Sequence, residues 1–191
     1  MPESTLEMLL SRRSVKPAML TEPGPNSAEL AKMLTAAARV PDHKKLVPWR
    51  FIVFEGAARS VFGDVLAEAC QVEERDPPSP VRLEMERGRL LRAPIVVAVI
   101  SRVVSHPGAP EWEQVLSAGA ACFSLCLAAN ALGYATCWIT EWYTYSPRVR
   151  AALGLADNER VAGFVYIGTA HARQPDRERP ELEAIVTRWH G

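Results

Sequence analysis

Arg12, Arg13 and Ser14 set two guanidiniums and a hydroxyl side by side, a combination suited to a phosphate or to a planar, electron-rich acceptor. A second basic group, Arg39, Asp42, His43, Lys44 and Lys45, crowds a short loop ahead of Pro48-Trp49. Taken alone, the first is equally a solvated helix end whose arginines favour the dipole, and the second an exposed turn. Other chemistry lacks its residues. There is no Gly-x-Gly-x-x-Gly, no Gly-x-x-x-x-Gly-Lys, no Gly-x-Ser-x-Gly and no His-Glu-x-x-His. His43, His106, His171 and His190 are scattered, and Cys70, Cys122, Cys126 and Cys137 lack metal-ligand spacing. Two basic loops with no triad and no metal cluster favour an anionic cofactor that brings its own chemistry.

The whole chain gives no such push. Lys+Arg and Asp+Glu both total 22, so net charge selects neither nucleic acid nor a membrane surface as partner. Its 191 residues suit a single domain, 1–191. No apolar segment follows a basic start, so no signal peptide is expected. With thiols that read as reduced and buried, a cytoplasmic setting is expected.

The elements that position these loops follow from pattern. A helix is expected over residues 3–13, with Leu6, Leu9 and Leu10 on one face and Ser4 or Thr5 as cap. A turn-rich segment (Pro17, Pro23, Gly24, Pro25) leads to a second helix capped by Asn26 or Ser27, with Leu30, Met33, Leu34, Ala37 and Ala38 at helical spacing. Strands are expected at 49–55, 95–100, 135–140 and 160–168, and helices at 57–74 with Val61, Val65 and Leu66 inward, and at 81–92. Ser146-Pro147 starts a short helix that ends at Gly154.

The longest element is the helix that opens the stretch Trp112 to Thr140 and stops at Gly133; between Val115 and Leu132 nearly every position is apolar or small. Ser117, Ser124 and Asn130 interrupt it, and it is short for a bilayer, which needs about 20 predominantly apolar residues. It therefore belongs to a core or an interface. Ser117, Ala121, Ser124, Ala128 and Ala131 form a small-residue stripe along it. That stripe admits either a close neighbour in the same chain or a second copy across a two-fold axis. Residues 172–191 carry many charges, yet also Leu182, Ile185, Val186 and Trp189; this arm should dock on its own body or on a partner. Helices outnumbering strands give a three-layer α/β or α+β domain.

The ordered set Arg12-Arg13-Ser14, Arg39-Val-Pro41-Asp42-His43-Lys44, Pro48-Trp49-Arg50-Phe51, Trp112-Glu113-Gln114, Ala-Leu-Gly-Tyr before Cys137-Trp138, and Gly163-Phe164-Val165-Tyr166-Ile167-Gly168-Thr169 resembles the nitroreductase family. It is most similar to the minimal flavin reductases of that family, in register from about residue 5 to 170. The resemblance implies an α+β fold, an α/β/α sandwich with a mixed central sheet and a C-terminal arm. It also implies FMN as cofactor, NADH or NADPH as reductant, and a homodimer with flavin at the interface. Arg12, Arg13 and Ser14 would touch the flavin, and the loop of Arg39 and His43 would reach the flavin bound mainly by the other subunit. Trp138, Ile139 and Thr140 would run along the ring by their backbone. Arg173, with Arg179 as second candidate, would hold the phosphate.

One departure stands out: close relatives have Trp-Arg-Ser/Thr-Gly where this chain has Trp138-Ile139-Thr140-Glu141, so an arginine and a glycine are replaced. The implied chemistry is hydride transfer from nicotinamide through flavin N5 to a small acceptor, such as a nitroaromatic or quinone, in a ping-pong sequence. No protein residue is assigned as an obligatory acid or base. A flavin binder of low turnover, or a family member acting on the flavin itself or on a halogenated aromatic, are the alternatives.

Overall fold

The computed structural model describes residues 4–172 and 174–191. Seven helices occur among them: α1 Thr5–Ser11, α2 Ser27–Ala37, α3 Ala58–Glu73, α4 Pro80–Arg87, α5 Glu111–Ala131, α6 Pro147–Ala152 and α7 Leu182–Ile185. The strands are β1 Leu20–Thr21, β2 Trp49–Phe54, β3 Ile95–Arg102, β4 Ala135–Ile139 and β5 Glu159–Ala170. β2, β3 and β5 lie in that order, and β5 also pairs with β1 and with β4. The sheet expected to be mixed is antiparallel in all four strand pairings, and the parallel contact is an isolated bridge between Ser14 and Thr136.

β3 shows why the sheet is central. Ile95, Val97 and Val99 point to one face and pack with Leu30, Met33 and the buried side of α5. Val96, Ala98 and Ile100 point to the other and pack with Phe62, Leu66 and Leu90. A strand covered on both faces must be apolar at every covered position, as this one is from Ile95 to Ile100. The three layers are thus α2 and α5, the sheet, and α3 with α6.

Local chemistry sets the helix starts. Ser4 and Glu7 form a capping box on α1, and Asn26 and Glu29 do the same on α2. Ser146 caps α6, with Pro147 in its first turn. The helix expected over 81–92 ends at Arg87, Gly88 caps it, and Leu90–Arg92 forms a separate 3-10 turn. Val61, expected inward, is exposed, because the buried stripe of α3 runs through Phe62, Leu66 and Cys70. β1 arises inside the segment read as turns.

The small-residue stripe of α5 has its partner within the chain. Ser124 Oγ donates to the Ala36 carbonyl of α2 at 3.1 Å. Ser117 Oγ donates to the Pro41 carbonyl at 2.6 Å and accepts from Trp49 Nε1 at 3.1 Å. The two-fold reading of that stripe is therefore corrected, since α2 occupies the face. A different face of α5 lies open: Trp112, Leu116 and Phe123 are exposed, and a Cβ on Gly119 between them would meet nothing within 4 Å. Leu6, Leu9 and Leu10 of α1 and Leu182, Ile185, Val186 and Trp189 of the arm are exposed as well.

Candidate cofactor site

Beyond α1 the chain turns extended at Arg12 and docks beside β4, where the Val15 amide donates to the Thr136 carbonyl at 2.9 Å. This fixes the two arginines at the C-terminal end of α5. The Arg12 guanidinium lies 5.7 Å from the Phe123 ring centroid and donates to Ser14 Oγ at 3.3 Å. Its Nε is buried with no hydrogen-bond partner among the described residues. A buried donor left unmatched is costly, and an arriving anion would match it. Arg13 donates to the Pro175 carbonyl and lies 3.8 Å from Asp176, which ties the start of the arm to this corner.

The arm brings further cations. Arg12, Arg13, Ser14, Arg177 and Arg179 enclose a small cavity of about 50 Å³. Arg12 and Arg13 also border a cavity of about 330 Å³ walled by Met8, Asn130, Gly133, Tyr134, Ala135 and Gln174. The larger one is within the range that holds small molecules, roughly 300–1,000 Å³. Gly133 adopts φ 90° there, ending α5 in a conformation that costs a side chain strain. Tyr134 is anchored by its hydroxyl, which donates to Glu29 Oε2 at 2.8 Å. An anionic group of phosphate size suits the four guanidiniums, and the adjoining space suits the rest of a small organic molecule.

The remaining expected residues separate into groups. Arg179, the second candidate, lines the small cavity with Arg12, Arg13 and Ser14, Arg177 lines it unforeseen, and Arg173 lies outside the described residues. Arg177 follows Asp176 in a charged tail, and no spacing marks it out from Arg179. Trp138, Ile139 and Thr140 lie outside both of these cavities. The Trp138 indole crosses Gly163 of β5, at which any Cβ would clash with it, and donates to the Ala162 carbonyl at 3.3 Å.

Glu141, the residue at the departure from the family pattern, is directed into a buried polar network. It accepts from Arg92 at 2.6 Å, from Arg89 at 2.9 Å and from Tyr143 Oη at 2.8 Å. Burial pushes this carboxyl up, but the Arg92 and Tyr143 hydrogen bonds, with the charges of Arg92 and Arg89, hold it below 4.5. Glu86, fully buried, accepts from Arg89 at 2.8 Å and from Trp142 Nε1 at 2.9 Å. Trp142 thus serves packing, and Glu141 leaves the basic cavity free of its charge. All four cysteines are free and buried; burial pushes Cys126 up to about 11.

Arg39 and His43 sit elsewhere. A third cavity of about 340 Å³ is lined by Pro41, His43, Glu113, Leu116, Ser117 and Ala120, at the N-terminal end of α5. Glu113 and Asn130, which border the two large cavities, are about 25 Å apart along the helix at 1.5 Å per residue. The loop that carries His43 into β2 is strained: Lys44, Lys45 and Val47 have φ of 64°, 55° and 48°. Asp42 holds it by accepting from the Leu46 and Val47 amides, both at 2.9 Å.

The nitroreductase family model matches residues 9–169. The Escherichia coli K12 protein YdjA, provisionally named an NAD(P)H nitroreductase, is 36% identical over 164 residues, 86% of this chain and 87% of its own length. The nitroreductase-like family protein of Bacillus cereus superposes with a TM-score of 0.86 at 21% identity, covering 100% of this chain and 98% of that one. A Bacteroides fragilis nitroreductase crystallised with bound FMN gives a TM-score of 0.71 at 22% identity, covering 98% and 100%. With that span, the α/β/α sandwich and the paired arginines after α1 in place, the chain belongs to the nitroreductase family.

Proposed function

We propose that the protein is an FMN-dependent oxidoreductase that takes reducing equivalents from NADH or NADPH and passes them to a small electrophilic acceptor, a nitroaromatic or a quinone, in the cytoplasm. The observation that carries this reading is the basic corner: four guanidiniums around a small cavity, one with a buried Nε unmatched among the described residues, of which Arg12 and Arg13 also border a cavity of about 330 Å³. FMN, when bound, supplies hydride transfer between the nicotinamide and the acceptor. Arg12, Arg13, Arg177 and Arg179 would hold its phosphate, and their fixed positive charge favours negative charge building up nearby. Tyr134, fixed by Glu29, and Gly133 shape the wall. The inward-directed Glu141 speaks against a pocket closed by that carboxylate.

A homodimer accounts for the two separated ends of α5. Two copies packed antiparallel through Trp112, Leu116, Gly119 and Phe123 would bring the His43 loop of one to the basic corner of the other. Gly119 permits close approach of backbones, and Leu116 and Phe123 would lose their exposure. The exposed arm residues Leu182, Ile185, Val186 and Trp189 would find cover on the same partner. Initial rates with NADH and a benzoquinone varied together should give parallel double-reciprocal lines, the pattern of a ping-pong sequence. Intersecting lines, or oxidation that is independent of the quinone, would overturn the proposal.

A further inference from the structure

We propose that His43, oriented by Glu113, donates the proton to the acceptor, and that the cavity at the N-terminal end of α5 receives that acceptor as a planar conjugated nitro or carbonyl compound. This rests on the oxidoreductase reading above and on the antiparallel pair of copies proposed with it, in which this cavity meets the basic corner of the partner. His43 Nδ1 lies 2.7 Å from Glu113 Oε2, so the carboxylate fixes the ring and Nε2 is left without a partner among the described residues. Both side chains are about half exposed, and a surface pair of this kind contributes little to stability. Yet the loop carrying His43 holds three non-glycine residues at positive φ, one of them the β-branched Val47. Strain maintained beside a cavity is a mark of a positioned functional group.

The cavity's lining narrows the ligand. Pro41, Leu116 and Ala120 are apolar, and the Ser117 hydroxyl is already engaged as donor to Pro41 and acceptor from Trp49. Among the lining residues His43 and Glu113 alone offer unengaged polar atoms. An apolar slot with one polar edge suits an aromatic or quinonoid body with a single oxygen at that edge. When such an oxygen compound accepts a hydride derived from NAD(P)H, it gains two electrons and needs a proton. The Nε2–H bond of the imidazolium breaks, an O–H bond forms on the acceptor, and the neutral imidazole regains its proton from the water to which it is exposed.

The test compares two acceptors on the FMN-loaded protein, with turnover expressed per bound flavin. A benzoquinone requires a proton with its electrons, whereas ferricyanide accepts electrons alone. His43→Gln should lower the ratio of quinone to ferricyanide turnover by about tenfold or more. Glu113→Gln should lower it several-fold, and the double variant should match His43→Gln, because Glu113 acts through the ring. A ratio that stays at its wild-type value in the flavin-loaded His43→Gln protein would overturn the inference. Losses that multiply in the double variant would overturn the role of Glu113. A wild-type protein that oxidises NAD(P)H with neither acceptor would instead overturn the oxidoreductase reading itself.

Discussion

Arg12 concentrates the account at the scale of single residues. Its guanidinium is held by Phe123 and Ser14 while its Nε is left unmatched, so a bound anion gains a donor that the protein has already positioned. Charge-assisted hydrogen bonds are worth about 1.5–3 kcal/mol, so Arg12→Ala should weaken FMN binding by about 10- to 150-fold in a fluorescence titration. Unchanged affinity would remove Arg12 from the site. Glu141 makes a prediction about acid stability. Its carboxyl is held below 4.5 in the folded chain, so its contribution is present above the unfolded value and is lost as pH falls through the folded one. Glu141→Gln should cost about 2 kcal/mol at pH 7 in a denaturant titration, and the difference from wild type should shrink below pH 4.5. A gap that stayed constant down to pH 3 would contradict the network. Arg12, Arg13 and Ser14 were legible because neighbours in sequence share a site by covalent necessity. Arg177 was not, since its approach depends on how the arm returns past Pro175.

At the scale of elements, α5 has one face packed within the chain and another left exposed. Spacing identified a small-residue stripe, but small residues signal close approach without naming what approaches. The structure gives that stripe to α2, through Ser124 and Ala36, and to the loop after α2, through Ser117 and Pro41. Ser124→Trp should therefore destabilise the single chain by overpacking, by about 1–3 kcal/mol. The test of association belongs on the opposite face. Gly119→Arg meets no atom of its own chain near the new Cβ, so the fold should persist while light scattering reports monomers. A dimer of unaltered mass would show that this face is not the contact. β3 was legible from Ile95 to Ile100, because a strand covered on both sides is apolar at each successive position, while its polar end, Ser101 and Arg102, was not. Gly88, by contrast, divides an amphipathic segment that reads as one helix, and the break turns Arg89 and Arg92 towards Glu86 and Glu141.

At the scale of the molecule, the basic corner and the His43 cavity lie at opposite ends of one helix, and a single chain does not bring them together. The fold was legible from the order of helices and strands, and the family from an ordered set of short motifs. The separation was not, because motifs give order along the chain and no distance through space. The central claim is that this chain holds FMN and cycles it. The absorption spectrum of the purified protein supplemented with FMN tests this most directly. The account predicts protein-bound flavin bands that bleach under anaerobic NADH or NADPH and return when a quinone or nitroarene is added. A colourless protein that takes up no FMN would contradict it.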